Sequence, residues 1–355
     1  MNETAQNPGI LSVGCALPPH YADQETLIAA FRAAWAKRHF NLDRLSQLHR
    51  AVKVSGRHLA LPIDAYEGLT SFAARNAAWV KAAEEVGAQA VLAALDRAGL
   101  GPRDVDHLFF VSVTGVSTPS LDAKLVNRLG LRTDVKRTPI FGLGCVAGAA
   151  GTARASDYVR AFPDQVAVLL SVELCSLTLQ MNDLSIPNII ASGLFGDGAA
   201  AVVVGGARRA RSPRVVATRS VFYPGTERVM GWDVVDTGFQ VVLSAQVPAV
   251  VREHIRGDVD RFLADQGLDR KQIRHWICHS GGPKVLEAFE GALELPPGAL
   301  ARSWRSLDSV GNLSSASVLF VLQETLDQAG AAEGDLGLMV AMGPGFCSEL
   351  VLLRW

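Results

Sequence analysis

Short apolar runs separated by longer helical stretches constrain this chain more than any other feature. Residues 108–113, 166–172, 199–204, 276–278 and 336–341 are strand-length and apolar on both faces, so they read as strands buried from both sides. Between them, residues 86–98, 146–162, 247–266 and 315–329 read as helices. Such alternation predicts an α/β architecture with helices covering largely buried sheets. A faint internal repeat adds to this. Leu95-Asp96-Arg97-Ala98-Gly99-Leu100 leads through a polar turn into residues 106–113, and Phe262-Leu263-Ala264-Asp265-Gln266-Gly267-Leu268 leads likewise into 273–279. Two copies of one unit facing each other would place a site between them. The plainer alternative is that a helix, Gly-Leu and a strand recur in any α/β protein.

At 355 residues, 49% hydrophobic and 19% charged, the chain is long and apolar enough for a large core. A net charge of -1, with cations spread along the chain, excludes the basic stripe that nucleic-acid binding requires. Cys15, Cys145, Cys175, Cys278 and Cys347 form no C-x-x-C pair and no metal-ligand spacing. An odd number without a framework fits a reducing compartment. With no apolar leader and no run of membrane-spanning length, a soluble cytoplasmic protein is expected.

Three residues stand out chemically. Cys145, in Gly142-Leu143-Gly144-Cys145-Val146-Ala147-Gly148-Ala149-Ala150-Gly151, opens a helix rich in small residues. Unpaired N–H groups and the helix dipole would stabilise its thiolate. Cys15, Cys175 and Cys347 fit inert packing better, and Cys278 should point into a core. The same glycines match a loose dinucleotide fingerprint, with Glu173 as a ribose-binding acid, but no long strand precedes them. His279, in Trp276-Ile277-Cys278-His279-Ser280-Gly281-Gly282-Pro283, ends a strand and should face a cleft. His20, His39, His49, His58 and His254 lie in contexts that suit solvated surfaces. Asn312, in Ser309-Val310-Gly311-Asn312-Leu313-Ser314-Ser315, occupies a turn before a helix. Singly, the His and the Asn are more often structural. Together, a thiol beside an imidazole can attack an acyl thioester, and His and Asn can donate to one developing oxyanion. A cysteine protease could use the same residue types.

Five segments in order resemble the type III polyketide synthases, the chalcone-synthase-like family, over nearly the whole chain. They are Gly144-Cys145-Val146-Ala147-Gly148, Leu194-Phe195-Gly196-Asp197-Gly198-Ala199-Ala200, His279-Ser280-Gly281-Gly282-Pro283, Gly311-Asn312-Leu313-Ser314-Ser315-Ala316 and Gly343-Pro344-Gly345. The resemblance implies a thiolase-like fold, two duplicated α/β halves in a layered αβαβα arrangement. Residues 1–210 would carry the nucleophile and 211–355 the His and Asn. It implies a homodimer, a Cys145–His279–Asn312 triad, and coenzyme A thioesters as substrates, with no metal and no cofactor. Phe195 matches a gatekeeper between the coenzyme A tunnel and the cavity. The second gatekeeper position falls on Val241, which suggests a wider apolar channel. Thr114, Thr118, Gly281, Gly282 and Pro283 would line the substrate path, with Thr118 reaching into the partner's cavity. The segment Gly115-Val116-Ser117-Thr118-Pro119-Ser120 looks like bacterial members. Arg50, Lys53 and Arg57 are candidates for the coenzyme A phosphates.

The expected reaction is decarboxylative Claisen condensation of an acyl-CoA starter with several malonyl-CoA. A medium or long fatty acyl starter would give an alkylpyrone or alkylresorcinol. One alternative is a malonyl-CoA-only synthase of the phloroglucinol or tetrahydroxynaphthalene type. Another is an initiating ketoacyl synthase, in which a His-Gln-Ala-Asn stretch would replace His279-Ser280-Gly281-Gly282-Pro283. A nicotinamide-dependent oxidoreductase is more distant, and an intact triad argues against a protein that merely binds acyl-CoA.

Overall fold

The computed structural model describes residues 7–36, 41–211, 213–328 and 330–355; His39 and Ala329 lie outside them. The N-terminal half builds a sheet from β1 (Gly9–Ala16), β4 (His107–Ser112), β5 (Lys136–Phe141), β6 (Val166–Leu174) and β7 (Asp197–Gly205), in the order β1-β7-β6-β4-β5. The C-terminal half uses β8 (Arg214–Phe222), β11 (Ile273–Cys278), β12 (Leu336–Gly343) and β13 (Cys347–Arg354), in the order β8-β13-β12-β11. The first strand of each half is antiparallel to the last. The last is antiparallel to its next neighbour, which runs parallel to the strand beyond. The halves join through β1 and β8, where Gly9 pairs with Arg214. Two hairpin-like pairs lie apart: β2 (His20–Asp23) with β3 (Gly56–Leu59), and β9 (Met230–Val235) with β10 (Gly238–Leu243).

The faint repeat is a true duplication. Helix α3 (Phe72–Ala98) feeds β4 and α7 (Val247–Ala264) feeds β11. Gly99 and Gly267 adopt left-handed φ values of 69° and 67°, which glycine alone tolerates without cost. Just beyond them, Leu100 N donates to Leu95 O and Leu268 N to Leu263 O, both at 2.9 Å.

Five layers result. On the outer face of the N-terminal sheet lies α3, and α7 packs with α8 (Pro283–Leu293) outside the C-terminal sheet. Between the sheets lie α5 (Ala147–Ala161) and α10 (Ser317–Asp327), whose buried side chains share one core with strands of both halves. Residues 146–162 and 315–329 were thus legible as helices, and they are the two innermost. Small residues make this possible. A Cβ on Gly148 would stand 2.2 Å from the Ser315 carbonyl oxygen, and one on Gly151 2.5 Å from Leu169. Polar side chains buried on α5 turn back on the helix: Thr152 donates to Gly148 O and Ser156 to Thr152 O, each at 2.8 Å.

The remaining helices, α1 (Gln24–Trp35), α2 (Leu42–Ala51), α4 (Leu121–Leu129), α6 (Ile186–Leu194) and α9 (Ala301–Val310), surround this frame. His49 on α2 departs from the solvated expectation. It is fully buried, with Nε2 2.9 Å from Ile189 O on α6, because the α2–α6 contact covers the amphipathic face that carries it. Among the described residues no helix is long and apolar enough to cross a membrane.

Gly148→Ala is expected to lower stability by roughly 1–3 kcal/mol through overpacking, read as a lower urea midpoint. A Cβ on Gly257 of α7 would meet only the flexible end of Arg261, so Gly257→Ala should be neutral or stabilising by up to about 1 kcal/mol. Equal effects at both sites would refute a tight central layer.

Candidate active site

The turn that carries Cys145 begins where β5 ends. Gly142 and Gly144, with φ of 98° and 58°, lead into the 3₁₀ turn Gly144–Val146 and then into α5. A side chain at 144 is excluded twice, by its left-handed φ and by the Pro344 ring, which would lie 2.7 Å from its Cβ. A Cβ on Gly343 would lie 2.7 Å from Val146 N. Gly343-Pro344-Gly345 is therefore the packing partner of the nucleophile turn.

Cys145 is buried, and its Sγ donates to Ser314 Oγ at 3.7 Å. Burial pushes the thiol up to about 12; the Ser314 contact opposes this, and the nearby Glu173 charge adds to it. The thiolate stabilisation expected at a helix start is thus outweighed by desolvation, since the sulfur sits on a turn inside the protein.

Asn312 is held by its backbone and its side chain. Its N–H donates to Leu194 O at 2.9 Å and its carbonyl accepts from Gly196 N at 3.0 Å, which makes a β-bridge with Phe195. Its Oδ1 accepts from Ser314 N at 2.8 Å and Ser317 Oγ at 3.3 Å. That orients Nδ2 to donate to Gly281 O at 3.1 Å and leaves one amide N–H for a ligand. Ser314 itself has φ of 47°, a conformation disfavoured for a non-glycine residue and held here by its neighbours.

His279 follows β11, with its N–H donating to Val340 O at 2.9 Å. Burial pulls the imidazole down to about 4, and Nδ1 has no partner among the described residues. A Cβ on Gly281 would lie 3.2 Å from the ring's Cδ2 and 3.3 Å from Nε2, so a bare Gly281 leaves that edge accessible. Contacts running Cys145–Ser314–Asn312–Gly281–His279 bring the three expected residues into one buried cluster. Of the other two, Gly282 (φ 144°) packs toward Leu194 and Pro283 opens α8, so they position the His279 loop.

Glu173 binds no ribose in this arrangement. It is fully buried on β6, accepting from Val113 N at 3.1 Å, Thr114 Oγ1 at 3.0 Å and Ser315 Oγ. Burial raises its carboxyl. Thr114 also accepts from Trp79 Nε1 at 3.1 Å and Leu174 N at 3.0 Å. Expected along the substrate path, it is instead committed to holding Glu173. Thr118 is exposed beyond β4.

Phe195 and Val241 do line a common cavity of about 950 Å³, together with Cys175, Thr178 and Trp232. Cys175, expected to be inert packing, is therefore a cavity wall; burial raises its thiol well above the ordinary range. Beside Val241 lies an aromatic residue that the sequence reading did not single out. Trp232 pairs with Val241 across the β9–β10 ladder, and its ring lies 6.3 Å from that of Phe195. Sequence order hid Trp232, because cross-strand register depends on the turn between β9 and β10.

The three basic candidates differ. Arg57 is buried, donating to Gln24 Oε1 at 2.8 Å and to Gly193 O, and burial pulls it down to about 10. It is spent inside the protein and cannot reach a phosphate in solvent. Arg50 is exposed but paired through two bonds with Glu25. Lys53 is exposed, 3.2 Å from Glu287 and over the Trp304 ring. Among the described residues no cluster of His, Cys, Asp and Glu could hold a metal.

This geometry has close counterparts. Residues 2–208 match the model of the chalcone and stilbene synthase N-terminal domain, and residues 214–355 that of the C-terminal domain. The chain is 52% identical over 350 residues to a 1,3,6,8-tetrahydroxynaphthalene synthase of Streptomyces peucetius subsp. caesius, covering 98% of this chain and 93% of that one. It is 33% identical to a phloroglucinol synthase of Pseudomonas fluorescens, over 85% of this chain and 86% of the other. The crystal structure of the tetrahydroxynaphthalene synthase of Streptomyces coelicolor A3(2), a bacterial type III polyketide synthase, superposes with a TM-score of 0.93 at 32% identity, covering 98% of this chain and 99% of that one. The chain belongs to the chalcone and stilbene synthase family, and is an acyltransferase of the type III polyketide synthase kind with a thiolase-like fold.

Proposed function

We propose that this synthase uses malonyl-CoA as both starter and extender and makes 1,3,6,8-tetrahydroxynaphthalene. The 52% identity to a synthase of that name over nearly both chains carries the reading. The Trp232–Phe195 pair supports it, since two aromatic rings on the cavity wall take up room that a fatty acyl chain would need.

In this mechanism the Cys145 thiol attacks the malonyl thioester carbonyl and its proton passes to the His279 imidazole. The C–S bond to coenzyme A breaks and the departing thiolate takes that proton. A second malonyl-CoA then loses CO2. The electron pair of the broken C–C bond becomes an enolate, whose oxygen accepts hydrogen bonds from His279 and from the free N–H of Asn312. The enolate carbon attacks the Cys145 thioester and expels the sulfur, which is reacylated by transfer of the lengthened chain. Repetition yields a pentaketide thioester: aldol closure of one ring loses water, Claisen closure of the other breaks the C–S bond and expels the thiol that carried the chain, and the carboxyl of the starter unit leaves as CO2. The electron pairs come from the Cys145 sulfur and from substrate bonds, and no carbon undergoes net oxidation or reduction by an outside reagent, so no redox cofactor is required.

We also infer a homodimer. The outer edge of β5 is unpaired in the sheet, with Phe141 56% exposed and Val116 39% exposed near Thr118, an apolar edge that a second copy would cover. Sedimentation should give a dimer; a stable monomer that retains full activity would refute this assembly.

Two further outcomes are expected. Incubation with malonyl-CoA alone should yield tetrahydroxynaphthalene by mass spectrometry and none with Cys145→Ala, while Trp232→Ala should gain extension of medium-chain acyl-CoA. Wild-type product only when a fatty acyl-CoA is added would favour the alkylpyrone reading. The mechanism requires the Cys145 thiol to give its proton to His279, although burial disfavours the charged form of each. His279→Ala should therefore move Cys145 alkylation by iodoacetamide to higher pH. An unchanged pH profile would show that the thiol ionises independently of His279.

A further inference from the structure

We propose that Ser176 and Asp197 form a hydroxyl–carboxylate relay that moves the proton during aldol ring closure of the finished chain, on a wall of the cavity and separate from the Cys145–His279–Asn312 cluster. It rests on the proposed function for a product whose ring closes through a carbon–carbon bond. Asp197 opens β7 opposite Leu174, the last residue of β6, and Ser176 lies in the 3₁₀ turn Cys175–Thr178 that follows β6. That register brings the hydroxyl to the carboxylate. Asp197 Oδ1 accepts from Ser176 N at 2.8 Å, and Oδ2 accepts from Ala60 N at 2.6 Å and from the Ser176 hydroxyl. Asp197 is fully buried, whereas Ser176 is half-buried and lines the cavity with Tyr66 and Phe195. Because Ser176 gives its only proton to Asp197, its 2.5 Å contact with the Tyr66 hydroxyl is a donation from the phenol. One lone pair of Ser176 Oγ then stays open for a substrate proton.

The environment of Asp197 suits a group that takes up a proton and gives it back. Burial raises its carboxyl to about 6, against its hydrogen bonds and the Arg57 charge. The Arg57 guanidinium is itself bonded to Gln24 and Gly193, so Asp197 is not locked in its ionised form by a direct ion pair. A carboxyl tuned towards neutral pH is a better proton carrier than one at the surface. The extended chain offers methylenes flanked by two carbonyls. In ring closure a methylene proton passes to Ser176 Oγ while the hydroxyl proton passes to Asp197. The C–H electron pair forms the new C–C bond to a ketone carbon of the same chain, and the C=O π pair becomes an alkoxide. Asp197 then returns its proton to Ser176, whose own proton goes to the alkoxide, and that oxygen later leaves as water. Protons balance, and nothing is oxidised or reduced. Tyr66, which donates to Ser176, fixes the direction of the hydroxyl and is a positioning residue. Phe195, two residues before Asp197, bridges Asn312 through its backbone, so one short segment connects the condensing cluster with the relay.

The test is Ser176→Ala, in which the backbone N–H groups of residues 176 and 60 still hold Asp197. Products from radiolabelled malonyl-CoA are separated into carbocyclic phenols and pyrones. A pyrone closes by attack of an enol oxygen on the thioester and needs no carbon–carbon ring bond. The ratio of carbocycle to pyrone should fall several-fold in Ser176→Ala and recover in Ser176→Thr, which restores the hydroxyl. An unchanged ratio overturns the proposal even if total turnover drops, since a merely structural role would depress both products together. If Ser176→Ala does not fold, Ser176→Val and Ser176→Thr compare nearly the same shape without and with a hydroxyl, and equal ratios there overturn it as well. The wild-type product tests the reading of function separately. A carbocycle other than tetrahydroxynaphthalene would defeat that reading and leave the relay to be decided by the ratio, whereas pyrones alone would overturn both.

Discussion

The contact between Gly148 and the Ser315 carbonyl is the constraint on which the rest depends. It lets the first turn of α5 and the turn before α10 meet with only a hydrogen atom between them. Cys145 lies three residues before that glycine, and Asn312 lies three before that serine. Two helix starts, one from each duplicated half, thereby converge on one point, and their partial positive charges add where an enolate or tetrahedral oxyanion would form. His279 arrives from β11 of the C-terminal half. Glu173, bonded to Ser315 and to the end of β4, ties the second turn back to the first sheet.

The same burial sets the electrostatics. Desolvation raises Cys145, Glu173 and Asp197, the last up to about 6, and lowers His279 and His49, each to about 4. Charge is costly throughout this layer unless a partner compensates. For Asp197 the compensation comes first from the Ser176 hydroxyl, then from the backbone N–H groups of Ser176 at 2.8 Å and Ala60 at 2.6 Å and from the Arg57 charge. For Cys145 the hydrogen bonds with the Ser314 and Asn312 side chains oppose the desolvation only in part. A dry, preorganised site is where polar donors are worth most to a developing oxyanion, so the cost and the benefit share one cause.

Phe195 separates two tasks. Its backbone belongs to the catalytic cluster and its side chain to the cavity beyond. That cavity is walled by α1, α6 and the β9–β10 pair. α1 and the β9–β10 pair lie outside the duplicated frame, whereas α6 ends on Leu194, whose carbonyl accepts from Asn312 N at 2.9 Å, and so ties the cavity wall to the Cys145–His279–Asn312 cluster.

Local pattern determined much of this protein. Residues 166–172 and 199–204 were legible as strands because they are buried on both faces, and Gly99-Leu100 and Gly267-Leu268 marked the duplication because a left-handed cap demands glycine. Cys145, His279 and Asn312 were legible as a candidate group because each sits in a glycine turn whose chemistry is local, and the fold brings the three into one cluster. β1 was not legible. Its Gly14 must be bare where α3 crosses, since a Cβ there would lie 2.2 Å from Ala94 N, and such small residues dilute the apolar signal. Nor could the sequence reveal that Arg57 and His49 are buried, that Thr114 serves Glu173, or that Trp232 fills the space beside Val241. Those facts depend on which distant segments pack together, and side-chain environment is set by long-range contact rather than by neighbours along the chain. What the sequence by itself determined was the frame and the reacting groups; only the tertiary structure decided the shape of the chamber and the protonation tendencies within it, because volume and desolvation are properties of the packed whole.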